Sequence, residues 1–181
     1  DEGIQDIRKV IETDAFPAEA AQKGTVQQWE VMGGFIDKML SLVDVKSLKP
    51  MKILCDTANG MVGPSLTELF KRIPQITMIP MYFEPDGTFP NHGGDPLQEE
   101  NRKELMERVP KEGADLGFAF DPDGDRFFCV DRNGRFVSGD FMTAILSYYF
   151  LQKHPGATIV YDIRASHAVP DTITKYGGRP L

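Results

Sequence analysis

The sequence lacks most of the features that mark secreted, membrane-bound or nucleic-acid-binding proteins. Two cysteines in 181 residues are too few for a disulfide framework, and Cys55 and Cys129 both sit in apolar, strand-like runs. Such thiols read as buried and reduced, which points to the cytoplasm. No apolar run reaches the roughly 18 residues of a membrane span, and no signal peptide opens the chain. There is no basic block: 20 Lys and Arg face 27 Asp and Glu, a formal charge of -7. That balance argues against nucleic acid and anionic membrane surfaces as partners. His92, His154 and His167 show no metal spacing and receive no chemistry. No initiator methionine precedes Asp1-Glu2-Gly3, so the chain reads as a fragment. What is present, 41% hydrophobic and 26% charged residues, is ordinary for a globular protein of one domain, or one plus part of another.

The apolar pattern first reads as helix, at Ile4, Ile7, Val10 and Ile11. A connector interrupted by Pro17 follows, and Thr25, with Gln28 three residues on, is placed to cap a second helix whose apolar face runs from Trp29 to Val43. From Met51 strand and helix alternate. Met51 to Cys55 reads as a buried strand, Pro64 to Arg72 as a helix and Ile76 to Phe83 as a second strand. After a long loop, Asp95 and Gln98 form a capping box with Pro96 at the first helical position. Leu116 to Phe120 is the third strand. Asn133-Gly134 then predicts a hairpin between Arg126 to Val130 and Arg135 to Val137. This order implies an α/β fold with a mixed, largely parallel sheet packed by helices. A partial second α/β domain follows. Its helix, Phe141 to Leu151, is apolar nearly all round and is expected to be buried on several sides. A strand at Thr158 to Tyr161, a helix at Val169 to Tyr176 and a nascent strand at Arg179 complete the chain.

The chemistry concentrates in Asp121-Pro122-Asp123-Gly124-Asp125-Arg126, set between two apolar strands. In a flat strand, alternate carboxylates would stand about 6.5 Å apart, given a rise of about 3.3 Å per residue. A small cation wants oxygens at about 2.1 Å. Pro122 and Gly124 break the ladder and let the backbone curl, so three carboxylates can converge at the strand's carboxyl end. Oxygen-only ligands favour magnesium, manganese or calcium over zinc. Other readings stay open. A calcium-binding module of the EF-hand kind begins with the same alternation, but Arg126 and Arg132 stand where its Gly and Glu belong. An aspartyl-nucleophile phosphatase of the haloacid-dehalogenase type would use Asp121 as nucleophile and Asp123 as acid, with Asp125 out of place. Asp56-Thr57-Ala58-Asn59-Gly60, at the end of the first strand, reads as a structural turn before a second functional one.

The stretch Asp121 to Arg126 resembles the metal-binding loop of the alpha-D-phosphohexomutases, the phosphoglucomutase and phosphomannomutase family. Asp56 to Gly60, Asp86 to His92, Gly113 to Arg126, and Asp162 to Ser166 with Gly177-Gly178 match in order and spacing too. The resemblance implies that residues 1–28 are a helix and connector ending the family's first domain. Residues 29–135 are then its metal-binding second domain, and residues 136–181 the start of its third. It also implies transfer of phosphate between C1 and C6 of a hexose, through a phosphoserine and a hexose bisphosphate. Asp121, Asp123 and Asp125 would hold Mg²⁺, Arg126 would balance developing charge, and Arg164 would meet the hexose phosphate. The family's Thr-Ala-Ser-His-Asn-Pro loop is absent. Ala165-Ser166-His167 is a decoy, because Ala168-Val169 follow it. The expected object is therefore a fragment that carries the magnesium loop, is inactive alone and partners the missing domains of its own chain. Its truncated, apolar C-terminal segment is expected either to pack closely onto the preceding domain or to join two copies into a homodimer.

Overall fold

The structure is a computed structural model that describes residues 2–181. Contacts divide the chain into two compact units, Asp1–Val31 and Met32–Leu181. The first contains helix α1 (Glu2–Glu12), whose Ile4, Ile7 and Ile11 are exposed. The helix expected from Thr25 does not form there, since α2 spans only Met32–Leu40. Val26 and Trp29 are 96% and 81% exposed, so an earlier turn would bury no apolar face. Without such packing a short helix is marginal in water.

In the second unit, β1 (Met51–Asp56), α3 (Val62–Lys71), β2 (Ile76–Met81), α4 (Glu99–Lys111) and β3 (Leu116–Phe120) alternate as the sequence predicts. The hairpin strands β4 (Phe127–Asp131) and β5 (Phe136–Val137) follow. The sheet runs β2-β1-β3-β4-β5, with β1 parallel to both neighbours and the hairpin antiparallel. Strand alternation sends Leu54 to one face, with Leu105, Val109 and Val130, and Ile53 and Cys55 to the other, with Leu66. The helices α4 and α3 therefore cover opposite faces, giving three layers. The expected capping box at Asp95 is displaced: α4 begins at Glu99 with Gln98 as N-cap. Asp95 instead accepts from the Leu97 amide in a turn ahead of the helix.

After Ser138 come α5 (Gly139–Lys153), β6 (Thr158–Ile159), α6 (Ala168–Lys175) and β7 (Arg179–Pro180). The strand expected at Thr158 to Tyr161 is shorter, ending at Ile159, and one of its sides is paired in parallel with β7. Helix α5 is not buried on several sides. Ala144, Ser147 and Leu151 are buried, while Phe141, Ile145, Leu146, Tyr148, Tyr149 and Phe150 are exposed. Its helical partner is α6, and one packed helix covers only one stripe.

Candidate metal centre

Because β1 leads to β2 on one side and β3 returns on the other, the sheet's switch point lies between β1 and β3. In open α/β sheets ligands gather outside the carboxyl ends of strands at such a point. Asp56 is in register with Ala119, so the turn after β1 and the loop after β3 emerge side by side. Asp121 opens that loop and is 1% exposed, while Asp123 and Asp125 are exposed. The Gly124 amide donates to the Asp121 carbonyl (3.1 Å), and Gly124 takes a positive φ of 75°. That closed turn curls the chain as Pro122 and Gly124 suggest, and brings one oxygen of each of the three carboxylates within 4.8 Å of the others.

These oxygens suit a small hard cation. Around such an ion, octahedral oxygens at about 2.1 Å lie roughly 3.0 to 4.2 Å apart, so modest closure of the loop suffices. No nitrogen or sulfur competes in the donor set. Arg126 sits on the same carboxylates. Its backbone N–H donates to Asp121 Oδ1 (3.0 Å) and its Nε–H to Asp121 Oδ2 (2.6 Å), and it lies 3.5 Å from Asp95 and 3.6 Å from Asp125. Burial pushes the Asp121 pKa up, but the hydrogen bonds from Arg126 outweigh it and hold the carboxyl below its ordinary value. Asp125 moves the other way, through its hydrogen bond to Asp121 and the charge of Asp123. The Asp121 bonds push Arg126 up.

Arg164 is not brought to this cluster by any contact. Its guanidinium forks onto Asp162 (2.9 and 2.8 Å), and its side chain is 87% exposed. It lines a separate cleft of about 570 Å³ with Asp140, Thr143 and Leu97. The Ser166 hydroxyl donates to the Asp140 carboxylate.

Two residues that received no chemistry from the sequence meet beside the cluster. Asp56, 2% exposed, lies 3.0 Å from His92 Nε2, while His92 Nδ1 faces the Gly93 carbonyl at 2.9 Å. A ring flanked by two acceptors is satisfied with protons on both nitrogens. Accordingly the hydrogen bond to Asp56 raises the His92 pKa against the opposing effect of burial. Tyr82 packs edge-on against the ring at 5.3 Å. The available signal was the length of the loop from Glu84 to Asp95, since long loops carry function more often than packing.

Fold and loop together define a class: a three-layered α/β domain with an all-oxygen carboxylate cluster at its switch point. A family model described as phosphoglucomutase/phosphomannomutase, alpha/beta/alpha domain II, matches residues 33–134. A phosphomannomutase of Escherichia coli is 34% identical across the whole chain, which covers 41% of that protein's length. A phosphomannomutase/phosphoglucomutase of Pseudomonas aeruginosa is 35% identical over 99% of the chain and 38% of its own length. The crystal structure of a phosphoglucomutase/phosphomannomutase family protein from Burkholderia thailandensis superposes on the whole chain with a TM-score of 0.80 at 30% identity, over 38% of its own length. The chain belongs to the phosphoglucomutase/phosphomannomutase family, and spans about two fifths of the length of these curated relatives. Family membership leaves the phosphatase and calcium-module readings without support.

Proposed function

We propose that the chain is the magnesium-bearing part of a phosphohexomutase that moves phosphate between C1 and C6 of a hexose. The observation that carries this reading is the convergence of three carboxylates at the end of β3, in a chain whose relatives are phosphomannomutases. Asp121, Asp123 and Asp125 would hold Mg²⁺, which when bound supplies positive charge against phosphoryl oxygens. Arg126 orients Asp121 and adds a fixed positive charge beside the loop. Arg164 is the candidate contact to the hexose phosphate or bisphosphate, released from Asp162 by a better-matched oxyanion. Residues 1–28, 29–135 and 136–181 are assigned to the end of a first domain, a metal-binding domain and the start of a third. In the family, the phosphoserine that donates the phosphoryl group belongs to the first domain. Two buried thiols, with Cys55 pushed up to about 12 by burial, fit a cytoplasmic setting. Among the described residues no helix is long and apolar enough to cross a membrane.

Calorimetry with MgCl₂ is expected to show weak binding by this chain and none by Asp123→Ala, with no mutase turnover by the chain alone. Equal Mg²⁺ binding by Asp123→Ala would sink the metal assignment, and turnover would show that the nucleophile is present. The exposed stripe of α5 is proposed to meet its counterpart in a second copy about a two-fold axis. Sedimentation should then show a dimer that is lost when the chain stops after Val137. A monomer at high concentration rules the dimer out.

A further inference from the structure

We infer that Asp56 and His92 form a clamp that sets the position of the carboxylate loop, acting through Gly60 and Gly94 on Pro122. The inference rests on the proposed function of that loop as a cation site. Neither residue is among the three converging carboxylates, so both are positioning residues. Three observations support the clamp.

The first is the contact between Asp56 and His92 itself. One Asp56 oxygen accepts from the Ala58 amide (2.9 Å) and the other meets His92 Nε2 (3.0 Å), so one buried carboxylate ties the turn after β1 to the loop after β2. A buried carboxylate is costly without a partner, and the His92 ring nitrogen is that partner.

The second is strain. Ala58, Asn59 and Tyr82 all have positive φ, at 48°, 58° and 53°, a region that side chains disfavour. Such backbone persists only where surrounding contacts over-determine it. Here the Asn59 amide donates to the Tyr82 carbonyl, Asn59 Nδ2 to the Glu84 carbonyl, and Asn91 Nδ2 to Asn59 Oδ1, each at 2.8 Å.

The third is what the two segments grip. The Met61 amide donates to the Pro122 carbonyl at 2.7 Å. A Cβ on Gly60 would stand 2.5 Å from that same oxygen, and one on Gly94 would stand 2.2 Å from Pro122 Cγ. Both are closer than real Cβ contacts, so bare glycine backbone approaches Pro122 from each segment. Pro122 lies between Asp121 and Asp123, and its placement aims both carboxylates.

The test compares the 181-residue chain with His92→Leu, His92→Gln and Asp56→Asn. Mn²⁺ is the probe, followed by loss of the free-ion paramagnetic resonance signal, and amide hydrogen exchange is read at Met61 and at Leu54 in β1. Loss of the clamp in His92→Leu is expected to weaken Mn²⁺ binding by about tenfold or more, as for other outer-shell partners of a metal site. It should also speed exchange at Met61 relative to Leu54. A merely structural role would speed both amides alike. His92→Gln, whose amide can still donate to Asp56, should recover both readouts. Asp56→Asn keeps the volume and should resemble His92→Leu, and it carries the test if the leucine variant does not fold. Unchanged Met61 exchange and Mn²⁺ affinity in these variants overturn the clamp. If the wild-type chain takes up no Mn²⁺, the cation reading fails instead, and the Met61 amide alone decides the clamp.

Discussion

Replacing Asp121 with alanine is expected to abolish Mg²⁺ binding by this chain and to loosen the loop that carries it. Asp121 is the buried member of the three carboxylates and the one with both oxygens hydrogen-bonded. Its removal would delete a direct ligand of the proposed site, so the loss should exceed the roughly 10–100-fold that follows removal of an outer-shell partner. The same change strands the Arg126 backbone N–H, a part-buried donor whose partner is the lost Oδ1. Leaving such a group unsatisfied costs about 1–3 kcal/mol. The Arg126 guanidinium is half exposed and can turn to water, so its side-chain bond adds little. Asp123→Ala is the informative contrast, because Asp123 is exposed and the carboxylate bonds to Arg126 come from its neighbours. It should lose the metal and keep its stability. Calorimetry and urea unfolding on the two variants separate the effects, and Mg²⁺ binding by Asp121→Ala at wild-type strength would remove this residue from the site.

Leu105→Ala is expected to cost about 3–5 kcal/mol of unfolding free energy. Leu105 is fully buried on the inner face of α4, in one cluster with Leu54, Met81, Val109, Ala119 and Val130. Gly117 makes this tight. A Cβ there would stand 2.6 Å from Val109 Cγ2 and 3.1 Å from Leu105 Cδ1, so α4 sits on the bare backbone of β3. Close packing of this kind leaves neighbours little room to collapse into the space a truncated leucine vacates. Val26→Ala, at a residue 96% exposed, should change stability by less than about 0.5 kcal/mol. Urea midpoints measure both, and a loss below about 1 kcal/mol for Leu105→Ala would mean that α4 is not held as tightly as its contacts indicate.

Much of the fold was legible because its signals are local. Met51 to Cys55 and Leu116 to Phe120 read as buried strands from their apolar runs, and Asn133-Gly134 announced the hairpin through turn chemistry. The alternation of Asp121, Asp123 and Asp125, with Pro122 and Gly124 between them, contained the convergence in five residues. Signals that depend on a partner were not legible. Thr25 has the chemistry of a helix cap, yet Val26 and Trp29 stay exposed, and α2 begins at Met32. Phe141 to Leu151 has the composition of a buried helix, but burial needs neighbours, and α6 covers one stripe. The pairing of Asp56 with His92 had no sequence signature, because 36 residues and a full crossover separate them. The sequence by itself determined the strands, the turn that curls the loop and the residue types on it, since these follow from periodicity and backbone chemistry over a few neighbours. Tertiary structure alone decided which turn meets which loop and which apolar face is covered. Those outcomes depend on parallel pairing of β1 with β2 and β3, which brings distant segments to one edge of the sheet.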